Sequence, residues 1–374
     1  GVEQLYKDLH GKEKLDKAIK EALEKLEKNM PRWESGFVYA AERVGKGVNA
    51  YKDMENKSWI HGMNTGMYWL AYELSGNEKF KEMAESMLPS YQHRLEEKIG
   101  FGDHDVGFVY SPSCVAAYKK FGHTELKDML LEAVNYYYRT GYSQKGGFIL
   151  RLWTRQDTEI GCRTMMDTLM NAPFLFWAGQ ETGKEEYTAA AISQNKITAD
   201  YLIRDNGSSF HHYQFDVDTH APKYGLTFQG HADDSCWSRG HAWGVYGFPI
   251  AYSYVKEDFL VDIHKDVTYF MLNHLPEDLV PYWDYDSEES ESSSLFNIPF
   301  TEYVVRMEGT PSKVGVCSIS VSPVNSKRFV SLIANNNLFV SNVVLSLCKV
   351  KFSEEFSYVL KLPFFTIRRV NPNS

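Results

Sequence analysis

The stretch WLAYELSGNEKFKEMAESML, residues 69–88, decides the fold. It reads as an apolar helix, a short polar turn containing Gly76, and a second, amphipathic helix, because glycine commonly ends a helix in the left-handed conformation. The pattern returns with the turn glycines Gly122 and Gly183, and a last junction keeps the shape without a glycine. The further copies are VAAYKKFGHTELKDMLLEAV (115–134), FWAGQETGKEEYTAAAISQN (176–195) and AYSYVKEDFLVDIHKDV (251–267).

Recurring helical hairpins pack side by side and bury a shared apolar face. An amphipathic helix over residues 13–29 precedes them, with leucines and an isoleucine at helical spacing. Long polar-aromatic stretches separate the hairpins and fit loops crowded over one mouth of a closed helical ring. These stretches are 97–107, 141–163, 204–237 and 280–290. We therefore predict an all-α fold.

The pattern stops at the acidic serine run SEESESSS, residues 287–294. All eight tryptophans precede it, and of the 26 glycines only Gly309 and Gly315 follow it. The segment 314–370 is rich in Val, Ser and Phe in short runs that favour strands. We expect a helical domain over 1–286 and an atypical segment over 287–374, which is either a different module or a stretch foreign to the main fold; in the second case the helical ring would be incomplete.

Composition excludes some classes of function. The net charge of −9 argues against a nucleic-acid partner, and no apolar run reaches the roughly 18 residues of a membrane span. The five widely spaced cysteines form no C-x-x-C pair, so we expect free thiols and favour a reducing, cytoplasmic compartment, with a secreted or periplasmic location left open. The 14% aromatic content suits a carbohydrate cleft and, equally, a large aromatic core. The oligomeric state stays open.

Asp167 lies in CRTMMDTLMNAPFLFWA, residues 162–178, which reads as one apolar helix. Arg163, Asp167 and Asn171 are four residues apart, so they would form one polar stripe on it. The neighbouring methionines would desolvate the carboxyl and favour its protonated form, which suits a general acid. A buried Asp167–Arg163 pair of purely structural value is the equally weighted alternative.

Asp105 lies in GDHDVGFVYSPSC, residues 102–114, where the next helix should start. The helix dipole favours an ionised carboxylate in the first turn, and Asp103 is a candidate N-cap there. The alternative is a first-turn Asp of no chemical importance, although His104 and the following aromatics exceed what a cap requires. Two carboxyls with pKa values pushed apart are what acid–base glycosidic chemistry needs.

Polar and aromatic residues concentrate in two further runs, FHHYQFD (210–216) and FQGHADDSCWSRGHAWGVYGF (228–248). Their His and Asp density raises a metal site as an option, but no H-E-x-x-H or His-x-His spacing supports one. Arg239 suits a substrate carboxylate, and Trp243, on the same helical face, suits stacking; the alternative is a surface Arg–Asp pair beside a core Trp. Trp59 precedes its helix in loop-like sequence, which favours a substrate platform, whereas Trp153 reads as platform or core.

At these residues the chain resembles the unsaturated glucuronyl hydrolases of glycoside hydrolase family 88. The resemblance covers roughly residues 13–286, and together the matching stretches are specific. They are NKSWIHGMNTGMYWLAYELSGNEKF, DHDVGFVYSPSC, RTMMDTLMNAPFLFWAGQETG, DNGSSFHHYQFD, QGHADDSCWSRGHAWGVYGF and LPEDLVPYWDYD. The family fold is an α/α barrel of six helical hairpins, which agrees with the repeats.

The resemblance implies a hydrolase that removes an unsaturated uronic acid from the non-reducing end of lyase-made oligosaccharides, including glycosaminoglycan fragments. The family hydrates the C4=C5 vinyl ether, and the hemiketal that results opens and releases the next sugar. Asp167 would be the general acid/base, and Asp105 would assist and bind ring hydroxyls. No metal or organic cofactor is implied. The matching pocket residues are Trp59, His104, Trp153, His211, Gln229, Arg239 and Trp243.

The chain departs from the family pattern in two places. Asp103-His104-Asp105 stands where the family usually has His-His-Asp, and residues 287–374 lack the family's Arg-Asp-Ser-Ser-rich helix and Trp-Gly-Asp-Tyr-Tyr-Tyr segment. Two alternatives follow. One is the related unsaturated rhamnogalacturonyl hydrolase, with the same chemistry on pectin fragments. The other is an inactive saccharide-binding derivative with a truncated barrel.

Overall fold

A computed structural model of the chain describes residues 12–33, 35–40, 51–276, 281–287, 361–362 and 365–366, and most of these are helical. The helices are α1 Lys12–Asn29, α2 Ile60–Ser75, α3 Glu78–Met87, α4 Pro89–Glu96, α5 Val106–Tyr110, α6 Ala116–Phe121, α7 Lys127–Gly141, α8 Thr168–Thr182, α9 Glu185–Ile197, α10 Ser238–Val255 and α11 Asp258–Asn273. The strands are β1 Val38–Ala40, β2 Tyr51–Asp53, β3 Tyr142–Ser143, β4 Phe148–Ile149, β5 Arg163–Met165, β6 His212–Phe215, β7 Pro222–Leu226, β8 Lys361–Leu362 and β9 Phe365–Thr366.

Each of the four predicted junctions joins two helices, and in three of them the two helices pack on each other. Helix α2 packs on α3, α8 on α9 and α10 on α11. Gly76, Gly122 and Gly183 each end a helix in the left-handed conformation, as their spacing predicts. At the junction without a glycine, Lys256 takes the same conformation with φ 56°. The repeat in the sequence is therefore a repeat of helix, left-handed cap and helix.

Four segments form an inner layer: α2, α5, α8 and α10, which we call the inner helices. Helices α2, α8 and α10 are buried along their first two turns or more, and the five-residue α5 is buried throughout. Neighbours contact in the order α2, α5, α8, α10. A π-helical turn, Ser111–Val115, continues α5 into α6. Helices α3, α7 and α9 each pack outside an inner helix and keep an exposed face.

Glycine lets the inner helices approach closely. A Cβ atom at Gly62 of α2 would lie 2.1 Å from the carbonyl oxygen of Phe108, and one at Gly107 of α5 would lie 2.4 Å from Cα of Asn171 in α8. Real side chains do not tolerate such contacts, so backbone packs directly on backbone at these two points. Both points lie within the first turn or so of the helices concerned, so these helices begin at the same end of the molecule.

Strands β3, β4, β6 and β7 occupy stretches predicted as loops, and β5 lies in a stretch predicted as helix, so the all-α expectation is corrected in detail. Strands β5, β6 and β7 form an antiparallel sheet in that order, and β3 pairs with β4. The short β1–β2 pair leads into α2. These sheets lie between the hairpins in sequence, and they fix the connections that carry several candidate site residues.

The predicted polar stripe of Arg163, Asp167 and Asn171 is wrong. Arg163 belongs to β5, pairs in register with Gln214, and donates from Nε to the Gln214 side chain at 2.7 Å. Helix α8 begins only at Thr168, immediately after Asp167. Residues 163–165 gain backbone hydrogen bonds from β6, and an apolar run alone does not distinguish such a strand from a helix.

Several predictions concern residues outside the described part. They include the strand-rich segment 287–374, of which the structure describes Ser287 and the antiparallel pair β8–β9, and residues 277–280 of the last predicted loop. Three of the cysteines, Cys114, Cys162 and Cys236, are free and buried, as expected. Among the described helices, none has the length and apolar character that crossing a membrane requires.

We predict that Gly107→Ala destabilises the protein more than Gly122→Ala does. At Gly107 the new methyl meets the α8 backbone, and forcing extra volume into a packed core costs about 1–3 kcal/mol. At Gly122 nothing lies within 4 Å, so only the left-handed conformation opposes alanine, at about 1 kcal/mol. Scanning calorimetry of both variants tests this. Equal melting temperatures would show that the helices are not held at van der Waals contact there.

Candidate active site

The first turns of the four inner helices converge on one group of side chains. Trp59 immediately precedes α2, Asp105 precedes α5, Asp167 precedes α8 and Trp237 precedes α10. Asp105 and Asp167 therefore occupy equivalent positions on neighbouring helices that touch through Gly107 and Asn171. The structure thus brings together the two carboxyls that the sequence singles out.

Asp167 is buried, with 8% of its surface exposed. Its Oδ2 atom accepts no hydrogen bond from the residues that the structure describes, and Nε2 of His211 lies 3.8 Å away. Burial raises the pKa of Asp167, while the positive charges of His104, Arg239 and Arg151 oppose the rise. The carboxyl is accordingly held towards its protonated form.

His211 presents an N–H group to this carboxyl. Its Nδ1 atom accepts from the backbone N–H of Phe228 at 3.3 Å, which leaves the ring proton of the neutral imidazole on Nε2. That nitrogen faces Asp167 Oδ2 and lies 3.1 Å from Nε2 of His212. Burial lowers the pKa of His211 far below its ordinary value, and Arg239 lowers it further, so the ring is neutral.

Asp105 departs from its prediction. It directly precedes α5, as expected, but burial raises its pKa to about 7 instead of the helix dipole keeping it ionised. His104 lowers this pKa, whereas Asp103 and Asp167 raise it further. Asp103 is not the N-cap residue; its Oδ1 atom accepts from the Asp105 backbone N–H at 3.1 Å and shapes the turn before the helix.

His104 is the direct partner of Asp105. Nε2 lies 3.1 Å from Asp105 Oδ1, and Nδ1 lies 3.3 Å from the carbonyl oxygen of Arg151. Burial lowers the pKa of His104, but the charges of Asp105, Asp103 and Asp167 outweigh it and raise the pKa overall. A protonated ring can donate to both acceptors at once, so His104 carries positive charge into the site.

Aromatic rings and one guanidinium form a wall beside the carboxyls. Trp59 lies 4.9 Å from Phe108 and 6.4 Å from Trp243, ring centre to ring centre. The guanidinium of Arg239 lies 5.8 Å from the Trp59 ring and 4.5 Å from the Trp237 ring. Its Nη2 atom donates to Gln229 Oε1 at 3.2 Å. Arg239 is therefore fixed among aromatic rings, where a bidentate acceptor such as a carboxylate can bind it.

Trp153 lies behind the other predicted residues. It is 5% exposed, its ring packs 5.4 Å from Tyr137, and Gly141 lies against its face. Its indole nitrogen is near Gly102, in the turn that leads to Asp105. The structure therefore places Trp153 among core side chains that support this turn, and direct contact of Trp153 with a substrate stays a prediction.

The sequence reading missed three residues around the site: Trp237, Phe228 and Arg151. Trp237 packs 4.3 Å from the His211 ring as well as against Arg239. The carbonyl oxygen of Arg151 accepts hydrogen bonds from the backbone N–H and from the ring Nδ1 of His104. The charge of Arg151 also acts electrostatically on both aspartates. One signal was available, since Arg151 interrupts the otherwise apolar run GGFILRLW.

One described group has metal-ligand geometry. Asp103, His104 and Asp105 place potential ligand atoms within 4.8 Å of one another. The two His104 nitrogens already face Asp105 and the Arg151 carbonyl, and Asp103 Oδ1 accepts the Asp105 amide. We assign no metal to this group.

The chain is similar in sequence and in structure to known proteins. The family model for Glycosyl Hydrolase Family 88 matches residues 39–287. The unsaturated chondroitin disaccharide hydrolase of Streptococcus pneumoniae is 39% identical over 287 residues, 76% of this chain and 71% of that protein. The structure of the unsaturated glucuronyl hydrolase of Bacillus sp. GL1, responsible for the degradation of glycosaminoglycan, superposes with a TM-score of 0.68 at 26% identity, covering 90% of this chain and 85% of that chain. A variant of the Streptococcus agalactiae unsaturated glucuronyl hydrolase, complexed with dGlcA-GalNAc6S, gives a TM-score of 0.59 at 27% identity over 88% and 78% of the two chains.

We predict that Asp167→Asn stabilises the folded protein, and more so at pH 8 than at pH 4. The raised pKa means that folding favours the protonated carboxyl, so the native acid loses stability as pH rises from the unfolded pKa through the folded one. The amide cannot ionise and avoids that loss. A gain of about 1 kcal/mol would raise the melting temperature by roughly 2–4 °C. A gain that is the same at both pH values would contradict the raised pKa.

Proposed function

Because the chain belongs to Glycosyl Hydrolase Family 88, we propose that Asp105 and Asp167 carry the reaction of a glycoside hydrolase that removes unsaturated uronic acid from glycosaminoglycan-type oligosaccharides. The unsaturated uronic acid is removed from the non-reducing end of the substrate. The observation that carries the proposal is the pair of buried carboxyls with raised pKa values, placed at the starts of two touching inner helices. A carboxyl that holds its proton near neutral pH is what protonation of a carbon–carbon double bond requires.

The proposed reaction is hydration of the C4=C5 vinyl ether. Protonated Asp167 gives its proton to C4, and the positive charge that develops at C5 is shared with the ring oxygen. The Asp167 carboxylate then takes a proton from the water molecule that adds its oxygen to C5. The resulting hemiketal opens and releases the next sugar, so Asp167 ends protonated as it began. Asp105, held by His104, binds ring hydroxyls and assists.

The substrate's own carboxylate is assigned to Arg239. The guanidinium is oriented by Gln229 and held between the rings of Trp59 and Trp237. Arg239 lies in the first turn of α10, where the helix dipole places partial positive charge that favours an anion. Trp59 and Trp243 supply apolar faces for the flat unsaturated ring. Trp153 supports the turn that positions His104 and Asp105.

The architecture proposed for this activity is an α/α barrel over residues 13–286. The support is the row of inner helices α2, α5, α8 and α10, with α3, α9 and α11 packed on α2, α8 and α10, and with the candidate site at the end where the inner helices begin. The mouths of closed helical and strand barrels are where ligand sites collect.

Turnover of lyase-made disaccharides tests the activity. We expect the chain to consume an unsaturated chondroitin disaccharide, followed as loss of the unsaturated uronate absorbance, and to prefer it to a rhamnogalacturonan disaccharide. Asp167→Asn should lower kcat by about 10²–10⁴-fold, the usual value of general acid–base catalysis, while saccharide binding persists. The exposed Asp157→Asn is the matched control and should keep the wild-type rate. An active Asp167→Asn enzyme would remove Asp167 from the chemical step.

The pH profile tests the role of His104. Its charge lowers the pKa of both Asp105 and Asp167, so His104→Gln should raise both. Activity that needs a protonated carboxyl is lost as pH rises through the folded pKa, and the alkaline limb of kcat/KM should therefore move to higher pH, by about half a unit or more. His123→Gln, at a histidine paired with Glu85 and Glu125, should leave the limb in place. A shift of the alkaline limb to lower pH would contradict this role of His104.

A further inference from the structure

Phe228 is an exposed aromatic side chain at the rim of the site. It is 58% exposed, the most exposed of the large apolar residues in the described part of the chain. Its backbone is nevertheless tied to the site, because its N–H donates to Nδ1 of His211 at 3.3 Å. The next residue, Gln229, is buried and accepts from Arg239. The Phe228 ring therefore lies in solvent directly beside the side chains that hold His211 and Arg239.

Arg151 contacts the Phe228 ring. Its guanidinium carbon is 5.2 Å from the centre of the Phe228 ring, a cation–π distance. Its backbone carbonyl accepts from His104, so this arginine is joined to the Asp105 side of the site. Within the described residues the guanidinium makes no hydrogen bond and no ion pair, although it is only partly exposed. We call Phe228 and Arg151 the rim platform.

The two residues of the rim platform connect to different parts of the site. Gln229 and Arg239 continue from Phe228 on one side, and His104 and Asp105 continue from Arg151 on the other. Asp167 is buried and Phe228 is exposed, so a ligand whose terminal ring reaches Asp167 extends from the buried carboxyl towards solvent. The ring that follows the terminal one is therefore the part of the ligand that is available to an exposed aromatic ring such as Phe228.

We propose that the rim platform binds the sugar that the reaction releases, the pyranose ring next to the unsaturated uronic acid. The inference rests on the proposed function and deepens it by naming a residue that selects the leaving group. One face of a pyranose carries axial C–H groups and is apolar, so it stacks on an aromatic ring. The guanidinium of Arg151 holds the Phe228 ring and offers donors to the hydroxyls of the same sugar.

A comparison of two substrates isolates this contact. The first is the unsaturated chondroitin disaccharide, and the second is the methyl glycoside of the same unsaturated uronic acid, whose leaving group is too small to stack. We expect Phe228→Ala to lower the ratio of their kcat/KM values, disaccharide over methyl glycoside, by about five- to tenfold, the effect of one aromatic contact. Phe228→Trp should keep the wild-type ratio within about twofold, because an aromatic face remains.

Tyr224→Ala provides the matched control. Tyr224 is an exposed aromatic on β7, 47% exposed, a few residues before Phe228 in the same segment, and its loss should leave the ratio unchanged. A Phe228→Ala enzyme with the wild-type ratio, or one that loses the same factor on both substrates, would overturn the proposal.

Calorimetric titration of both ligands into the wild-type and Phe228→Ala proteins separates this proposal from the proposed function. If neither ligand is turned over, the proposed function is wrong. Weaker binding of the disaccharide alone to the variant would still support the platform. If each ligand binds the wild-type and Phe228→Ala proteins with the same affinity, the platform is refuted.

Discussion

The whole site depends on the direct backbone contact between neighbouring inner helices. Because glycine leaves no side chain between them at Gly62 and Gly107, α2, α5 and α8 start at the same end of the molecule. Consequently, Trp59, Asp105 and Asp167 hold equivalent positions, one residue before each helix. The same geometry brings the partial positive charges of several helix starts to one end of the molecule, where they stabilise negative charge.

Burial and positive charge compete for the protons on the two carboxyls. A helix start is worth typically 0.3–1 kcal/mol to an anion, less than one unit of pKa, whereas burial can raise the pKa of a carboxyl by up to 3–5 units. Burial prevails at both residues, and at Asp105 it brings the pKa to about 7 in spite of His104. Their difference lies in their contacts, because Asp105 has His104 at 3.1 Å, whereas Asp167 Oδ2 accepts no hydrogen bond within the described residues.

Local patterns in the sequence predicted the features that depend on residues close together in the chain, such as the ends and starts of helices. Gly76, Gly122 and Gly183 marked real helix ends, and Asp105 stood at a real helix start. Pairing between distant segments was not predictable in the same way. Arg163 left the predicted stripe because residues 163–165 pair with a strand some fifty positions later. Arg151 and Phe228 likewise meet only through the fold, so neither run containing them signals the contact.

The raised pKa values also settle how a site with two aspartates can accept an anionic sugar. Two ionised carboxylates would repel the substrate's carboxylate, by about 1 kcal/mol each at 4 Å in water and about 4 kcal/mol at the effective dielectric of a partly buried site. Because burial shifts both aspartates towards their neutral forms, this repulsion is reduced, while Arg239 and the helix starts still attract the anion. In the proposed mechanism, the desolvation that raises the pKa of Asp167 also weakens its repulsion of a uronate, so one structural feature would serve both binding and proton transfer.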